Sequence, residues 1–131
     1  VPDEIPSDEE QVTLDFTRLS SRDLGAVHSR FAVRHSHVLF HTAVREADVL
    51  GHRRNLRMAE AKFRVVHAGE KKTDVDALME ENPRIVRLRD RVMQADAEVE
   101  ILEAVASGYE AIRNAASREI SRRIGERAPI D

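Results

Sequence analysis

Residues 85–120 read IVRLRDRVMQADAEVEILEAVASGYEAIRNAASREI. Within them Ile85, Leu88, Val92, Ala95, Val99, Leu102, Ala106 and Tyr109 fall at alternating spacings of three and four, and after Arg113 the series continues through Ala116 and Ile120. Such a register lines up one stripe along a helix, the pattern of a coiled-coil seam and not of a globular core. Asn82-Pro83 supplies its start, with Asn at the cap and Pro at the first helical position. Its expected end is near Ile124, at Gly125, with Pro129 beyond.

Working back toward the N-terminus, Thr73 and Asp76 have N-cap spacing and suggest a short helix carrying Val75, Leu78 and Met79. Ala68 to Lys72 reads as a polar turn in which Gly69 suits a left-handed helix end. Before it lies a second long helical stretch. Ser20 and Asp23 have capping-box spacing, Leu24, Val27 and Phe31 begin an apolar stripe, and no proline follows until Pro83. The expected helix runs from Ser20 to about His67. Val38, Val49, Leu56, Phe63 and Val66 extend one stripe, whereas Ala32, Leu39, Ala43, Ala47, Leu50, Met58, Ala61 and Val65 make another. Gly51 is expected to mark a bend or a close helix approach, at a cost of about 1 kcal/mol relative to alanine.

Long helices joined by a short connection must run antiparallel. The expected fold is therefore all-α: a long, coiled-coil-like antiparallel hairpin with a short helix near its turn. Each helix has a second stripe, that of the second helix being Ala97, Ile101, Val105, Gly108, Ile112 and Ala115. One partner cannot cover both stripes, and burying a Leu or Ile side chain contributes about 1.5 to 3 kcal/mol. A homo-oligomer built side by side is the expected outcome. No internal repeat is visible.

Composition agrees with extended helices. Of 131 residues, 34% are charged and 4% aromatic, too little bulky apolar mass for a thick core. There is no cysteine, which excludes disulfides, thiolate metal sites and cysteine catalysis. Apolar runs are only a few residues long and no signal-peptide pattern opens the sequence, so a cytoplasmic protein without membrane contact is expected.

The net charge of -3 conceals blocks. Residues 1–15 carry six acids and no base; with Pro2 and Pro6 they suggest that 1–19 is an acidic, flexible arm preceding a helical oligomerisation and binding domain over 20–131. Residues 16–72 carry twelve Arg or Lys against five acids, together with all six histidines, and residues 73–110 carry ten acids against four arginines. Segregated blocks can pair copies of the chain or attract a polyanion.

The candidate chemistry is correspondingly electrostatic. Arg53, Arg54, Arg57, Lys62 and Arg64 crowd the last turns of the first long helix, and Lys71 and Lys72 follow in the turn. They can neutralise phosphates, or else complement a helix C-terminus and the acids opposite. Arg118, Arg122 and Arg123 form a secondary basic surface, facing outward while Ile112, Ala116, Ile120 and Ile124 pack. Phe63 and Tyr109 are expected in the core. His37 and His41, at i and i+4 with His35 nearby, have a spacing that can chelate zinc or nickel, but histidines on a solvated or interhelical face are commoner. No metal or other cofactor is expected. Glu98, Glu100 and Glu103 read as a solvated acidic face. The sequence has no HExxH, Glu-x-x-His, GxxxxGK[ST], GxGxxG or GxSxG motif, and no enzymatic activity is expected.

The run Ala61-Lys62-Phe63-Arg64-Val65-Val66-His67-Ala68-Gly69, with a Lys-x-Arg pair before a turn glycine, resembles the UvsY-like family of phage recombination mediators. Ala95-Asp96-Ala97-Glu98-Val99 and Ala111-Ile112-Arg113 carry a weaker likeness, and the resemblance extends over about Ser20 to Ile124. It implies a helical, ring-forming, single-stranded DNA-binding protein that helps load a recombinase onto strands coated by single-strand-binding protein, in the cytoplasm of an infected bacterial host. By that resemblance Lys62 and Arg64 are DNA contacts and Arg57, Lys71 and Lys72 support them. The acidic Pro-containing arm and the aromatic-poor second helix depart from the family. The competing expectation is a structural or adaptor coiled coil, such as a phage assembly or scaffolding component, without nucleic-acid binding.

Overall fold

A computed structural model describes residues 15–127, and over them the chain is all-helical. The acidic stretch up to residue 14 lies outside the described residues. A 3-10 turn at Phe16–Arg18 leads into α1 (Ser21–Val66), then α2 (Lys72–Glu81) and α3 (Pro83–Arg127). No helix among the described residues is long and apolar enough to cross a membrane.

The caps explain most boundaries. Ser20 Oγ accepts from the Asp23 amide at 3.1 Å, which places Ser20 just outside α1. Asn82 Oδ1 accepts from the amides of Arg84 and Ile85 at 3.0 and 3.1 Å, so the expected Asn-Pro start is the one observed. Thr73 does not cap the short helix; α2 begins at Lys72, behind Lys71 and with no side-chain cap. Gly69 does not end α1 in a left-handed conformation, since no described glycine has positive φ. The chain leaves α1 through successive turn hydrogen bonds, Ala68 to Val65 and Glu70 to His67. Gly125 does not stop α3, which continues to Arg127. Gly51 is no close approach either: a Cβ there would meet nothing within 4 Å.

Packing divides the described residues into two units. In one, formed by 15–42 with 101–127, Phe31 and Val38 of α1 bury themselves against Leu102, Ala106 and Tyr109 of α3, with Val27, Val105 and Ile112 at the margin. The Phe31 and Tyr109 rings lie 5.7 Å apart, and the Arg34 guanidinium sits 5.1 Å from the Phe31 centroid and 6.0 Å from that of Tyr109. Arg123 of α3 reaches back to the carbonyl oxygens of Phe16 and Leu19. Residues 15–19 of the expected flexible arm thus include a turn latched to α3.

In the second unit, 43–100, the core is Ala59 of α1, Val75 and Met79 of α2 and Ile85 of α3, flanked by Leu56, Phe63 and Leu88. Leu78, expected with Val75 and Met79, is 44% exposed. Arg89 ties the three helices together through Glu80 of α2 at 2.7 Å and Glu60 of α1 at 3.3 Å. Those carboxylates raise the pKa of the guanidinium, the Glu80 hydrogen bond most.

The seam from Ile85 to Ile120 is buried or half-buried at each position, Arg113 included. Its counterpart on α1 has the same alternation of four and three but a mixed composition, with polar residues at five of its places: Leu24, His28, Phe31, His35, Val38, Thr42, Arg45, Val49, His52, Leu56, Ala59 and Phe63. Thr42 is accommodated by donating from Oγ1 to the Val38 carbonyl at 2.8 Å.

Candidate nucleic-acid interface

Lys62 extends from α1 and Arg84, Arg87 and Arg91 from α3 into one open groove of about 500 Å³, lined also by Asn55, Met58, Ala59 and Leu88. Helical periodicity brings the arginines together. Arg84, Arg87 and Arg91 are spaced by three and four, and so share one side of α3 next to its seam. The packing of Ala59 with Ile85 and Leu88 then sets Lys62 opposite them. No carboxylate lines the groove. Among the described residues none of these four cations forms an ion pair, whereas Arg89, between them on α3, engages Glu60 and Glu80.

Four cations converging without a counter-charge repel one another, and an anion entering between them removes that repulsion. Phosphate is the natural fit: guanidinium groups offer forked donors and Lys a mobile point charge. Beside the groove and sharing Ala59, Lys62 and Arg84 with it is a hollow of about 320 Å³ lined by Phe63, Val66, His67, Asn82 and Ile85. The Phe63 and His67 rings stack there at 4.4 Å, inclined by 32°, with His67 Nδ1 2.9 Å from Glu70 Oε2. Phe63 is half-buried as a core residue, yet it also lines the hollow beside the cationic groove.

The other cations named from sequence are distributed differently. Arg53 is taken up by Asp96, to which Nη2 donates at 3.0 and 3.2 Å. Arg54, Arg57, Arg64, Lys71 and Lys72 are exposed and outside the groove lining. Lys62 and Arg64, paired by the sequence resemblance, stand two residues apart and hence on opposite sides of α1. At the other end of α3, Arg118 is exposed as expected. Arg122 does not present a free outward charge, because it binds Glu119 at 2.7 Å and also Glu126. Arg123 points inward, with its side chain 16% exposed. It donates to Glu119 Oε1 at 3.0 Å and to the carbonyls of Phe16 and Leu19 at 2.9 and 2.6 Å.

Arg84, Arg87 and Arg91 escaped the sequence reading because the surrounding block is acidic in sum. Their three-and-four spacing was the signal that could have separated them from the acids on other faces of α3.

Comparison with known protein families, curated proteins and solved structures finds no match to this chain.

Proposed function

We propose that this protein is a non-catalytic, oligomeric single-stranded DNA-binding protein of the recombination-mediator type, which holds the phosphodiester backbone in the Lys62, Arg84, Arg87 and Arg91 groove and helps load a recombinase. The carrying observation is the convergence of these four cations in one open groove without a lining carboxylate. Backbone contacts of this kind do not read sequence. The half-buried Phe63 and its stacked neighbour His67 provide an adjoining aromatic surface, the second element of single-strand binding. The recombinase and the single-strand-binding protein as partners rest on the sequence resemblance alone.

Assembly multiplies a small site. On the side of α1 facing away from its seam, Val44, Leu50, Met58 and Val65 of the second unit are 44 to 75% exposed, with Ala47, Gly51 and Ala61 between them. With the exposed Arg54 filling the place between Gly51 and Met58, Val44, Ala47, Gly51, Met58, Ala61 and Val65 follow a second three-and-four register, suited to a second copy of the chain. The same observation favours the alternative, a structural or adaptor coiled coil that uses the register for assembly and binds no nucleic acid.

The deciding experiment is binding to a labelled single-stranded oligonucleotide across a salt series, beside an Arg84→Ala/Arg87→Ala/Arg91→Ala variant. Salt-sensitive binding that the variant loses supports the mediator reading. Oligomers that bind no oligonucleotide even at low salt transfer the assignment to the adaptor.

A further inference from the structure

His37 and His41 lie one turn apart on α1, in the unit formed by 15–42 with 101–127, and their Nε2 atoms approach to 3.0 Å. The rings are nearly perpendicular, inclined by 74° with centroids 4.4 Å apart, and Phe40 stands edge-on to His41 at 5.8 Å. His37 is exposed and His41 half-buried, so solvent reaches the pair.

Two imidazole nitrogens so close need something between them. Either one ring donates an Nε2–H to the other, or both carry their proton on Nδ1 and turn two Nε2 lone pairs toward a shared cation. With metal–nitrogen bonds of about 2.0 to 2.1 Å, a separation of 3.0 Å subtends about 95° at the ion. That is close to the right angle between neighbouring ligands in octahedral or tetragonal coordination and well below the tetrahedral angle. We propose that His37 and His41 form a bidentate site for a divalent late transition metal, favouring Cu²⁺ and Ni²⁺ over Zn²⁺ by geometry as well as by intrinsic affinity. Among the described residues no cluster of three or more His, Asp or Glu is placed to hold a metal, so the pair is proposed as a two-nitrogen site to which water can add. The site is an exchangeable one. It links one turn of α1 to the next and stabilises the folded chain by mass action.

The proposal is independent of the DNA-binding reading and is tested without DNA. The full chain is titrated with NiCl₂ and CuCl₂ by calorimetry, beside His37→Gln, His41→Gln and, as a control at the half-buried histidine of the turn after α1, His67→Gln. Wild type and the His67 variant should bind one ion per chain, or one per two chains if a second copy's pair shares it. Either the His37 or the His41 variant should weaken binding by about ten-fold or more, a change of at least about 1.4 kcal/mol. Thermal melts followed by circular dichroism should show metal raising the midpoint of wild type and of His67→Gln but not of the other two, and they confirm that each variant folds. Wild-type affinity in a His37→Gln/His41→Gln double variant, or no saturable Ni²⁺ binding by wild type, overturns the proposal.

Discussion

Arg123 and Glu119, one turn apart on α3, form an ion pair in which Nε lies 3.0 Å from Oε1 while both side chains are withdrawn from solvent, at 16% and 9% exposure. Glu119 also receives Arg122, whose Nε and Nη2 donate to its two oxygens at 2.8 and 2.7 Å. One carboxylate thus serves two guanidinium groups. The Arg122 hydrogen bond, followed by that of Arg123, lowers the Glu119 pKa from the ordinary 4.5 to about 2.

The pH dependence follows in sign. A carboxyl whose pKa is depressed by folding binds fewer protons in the folded chain than in the unfolded one across the interval from about 4.5 down to about 2. Its contribution to stability is therefore complete above about pH 4.5 and lost progressively as pH falls toward 2. Urea unfolding midpoints measured through this interval should fall for wild type and fall less steeply for Glu119→Gln. An identical slope in the two proteins would rule out Glu119 as a contributor.

Arg123 has a second duty, holding the Phe16 and Leu19 carbonyls and thereby the turn before α1. Arg123→Met keeps an aliphatic stem but removes these charge-assisted bonds, and should cost about 2 kcal/mol. Faster amide exchange should appear at residues 17–20 while the Phe31 and Tyr109 core remains protected. Exchange rising equally throughout would mean that the latch is not local.

Much of this fold is legible in the sequence. The α3 seam from Ile85 to Ile120 announces itself because almost every position is apolar, and the Asn82 cap because its chemistry is local. The α1 seam is obscured by His28, His35, Thr42, Arg45 and His52, which occupy packed positions but carry no hydrophobic signal. Apolar side chains such as Leu50 and Met58 drew attention to the outer face instead. The groove is half legible: Lys62 stands out in the sequence, but its arginine partners come from a helix more than twenty residues further along the chain. Only the pairing of Ala59 with Ile85 and Leu88 brings them together. The inward turn of Arg123 was not legible at all, since the carbonyls that it binds carry no side-chain code.

Gly51 offers a test of the outer face of α1. A Cβ there meets nothing within the chain, and replacing a mid-helix glycine with alanine should stabilise the isolated chain by about 1 kcal/mol. If a second copy packs on this face, the added methyl group falls in its interface. Gly51→Ala should then raise the thermal midpoint at high dilution while shifting the oligomer toward smaller species in analytical ultracentrifugation. A higher midpoint with unchanged assembly would place the interface elsewhere.

Lys62 and Arg64 separate two views of the cationic end. If the Lys-x-Arg pair acts as a unit, removing either side chain should weaken single-strand binding alike. Opposite sides of α1 give a different expectation. Lys62→Ala should reduce the slope of log K against log salt by about 0.7 per chain, the increment for one lost phosphate contact on a single strand, and Arg64→Ala should leave it nearly unchanged. Arg87→Ala should reproduce the Lys62 effect, because the two line the same groove. Measuring the three slopes on one oligonucleotide distinguishes the cases: equal losses at Lys62 and Arg64 with none at Arg87 would move the DNA path from the groove to the exposed surface of α1.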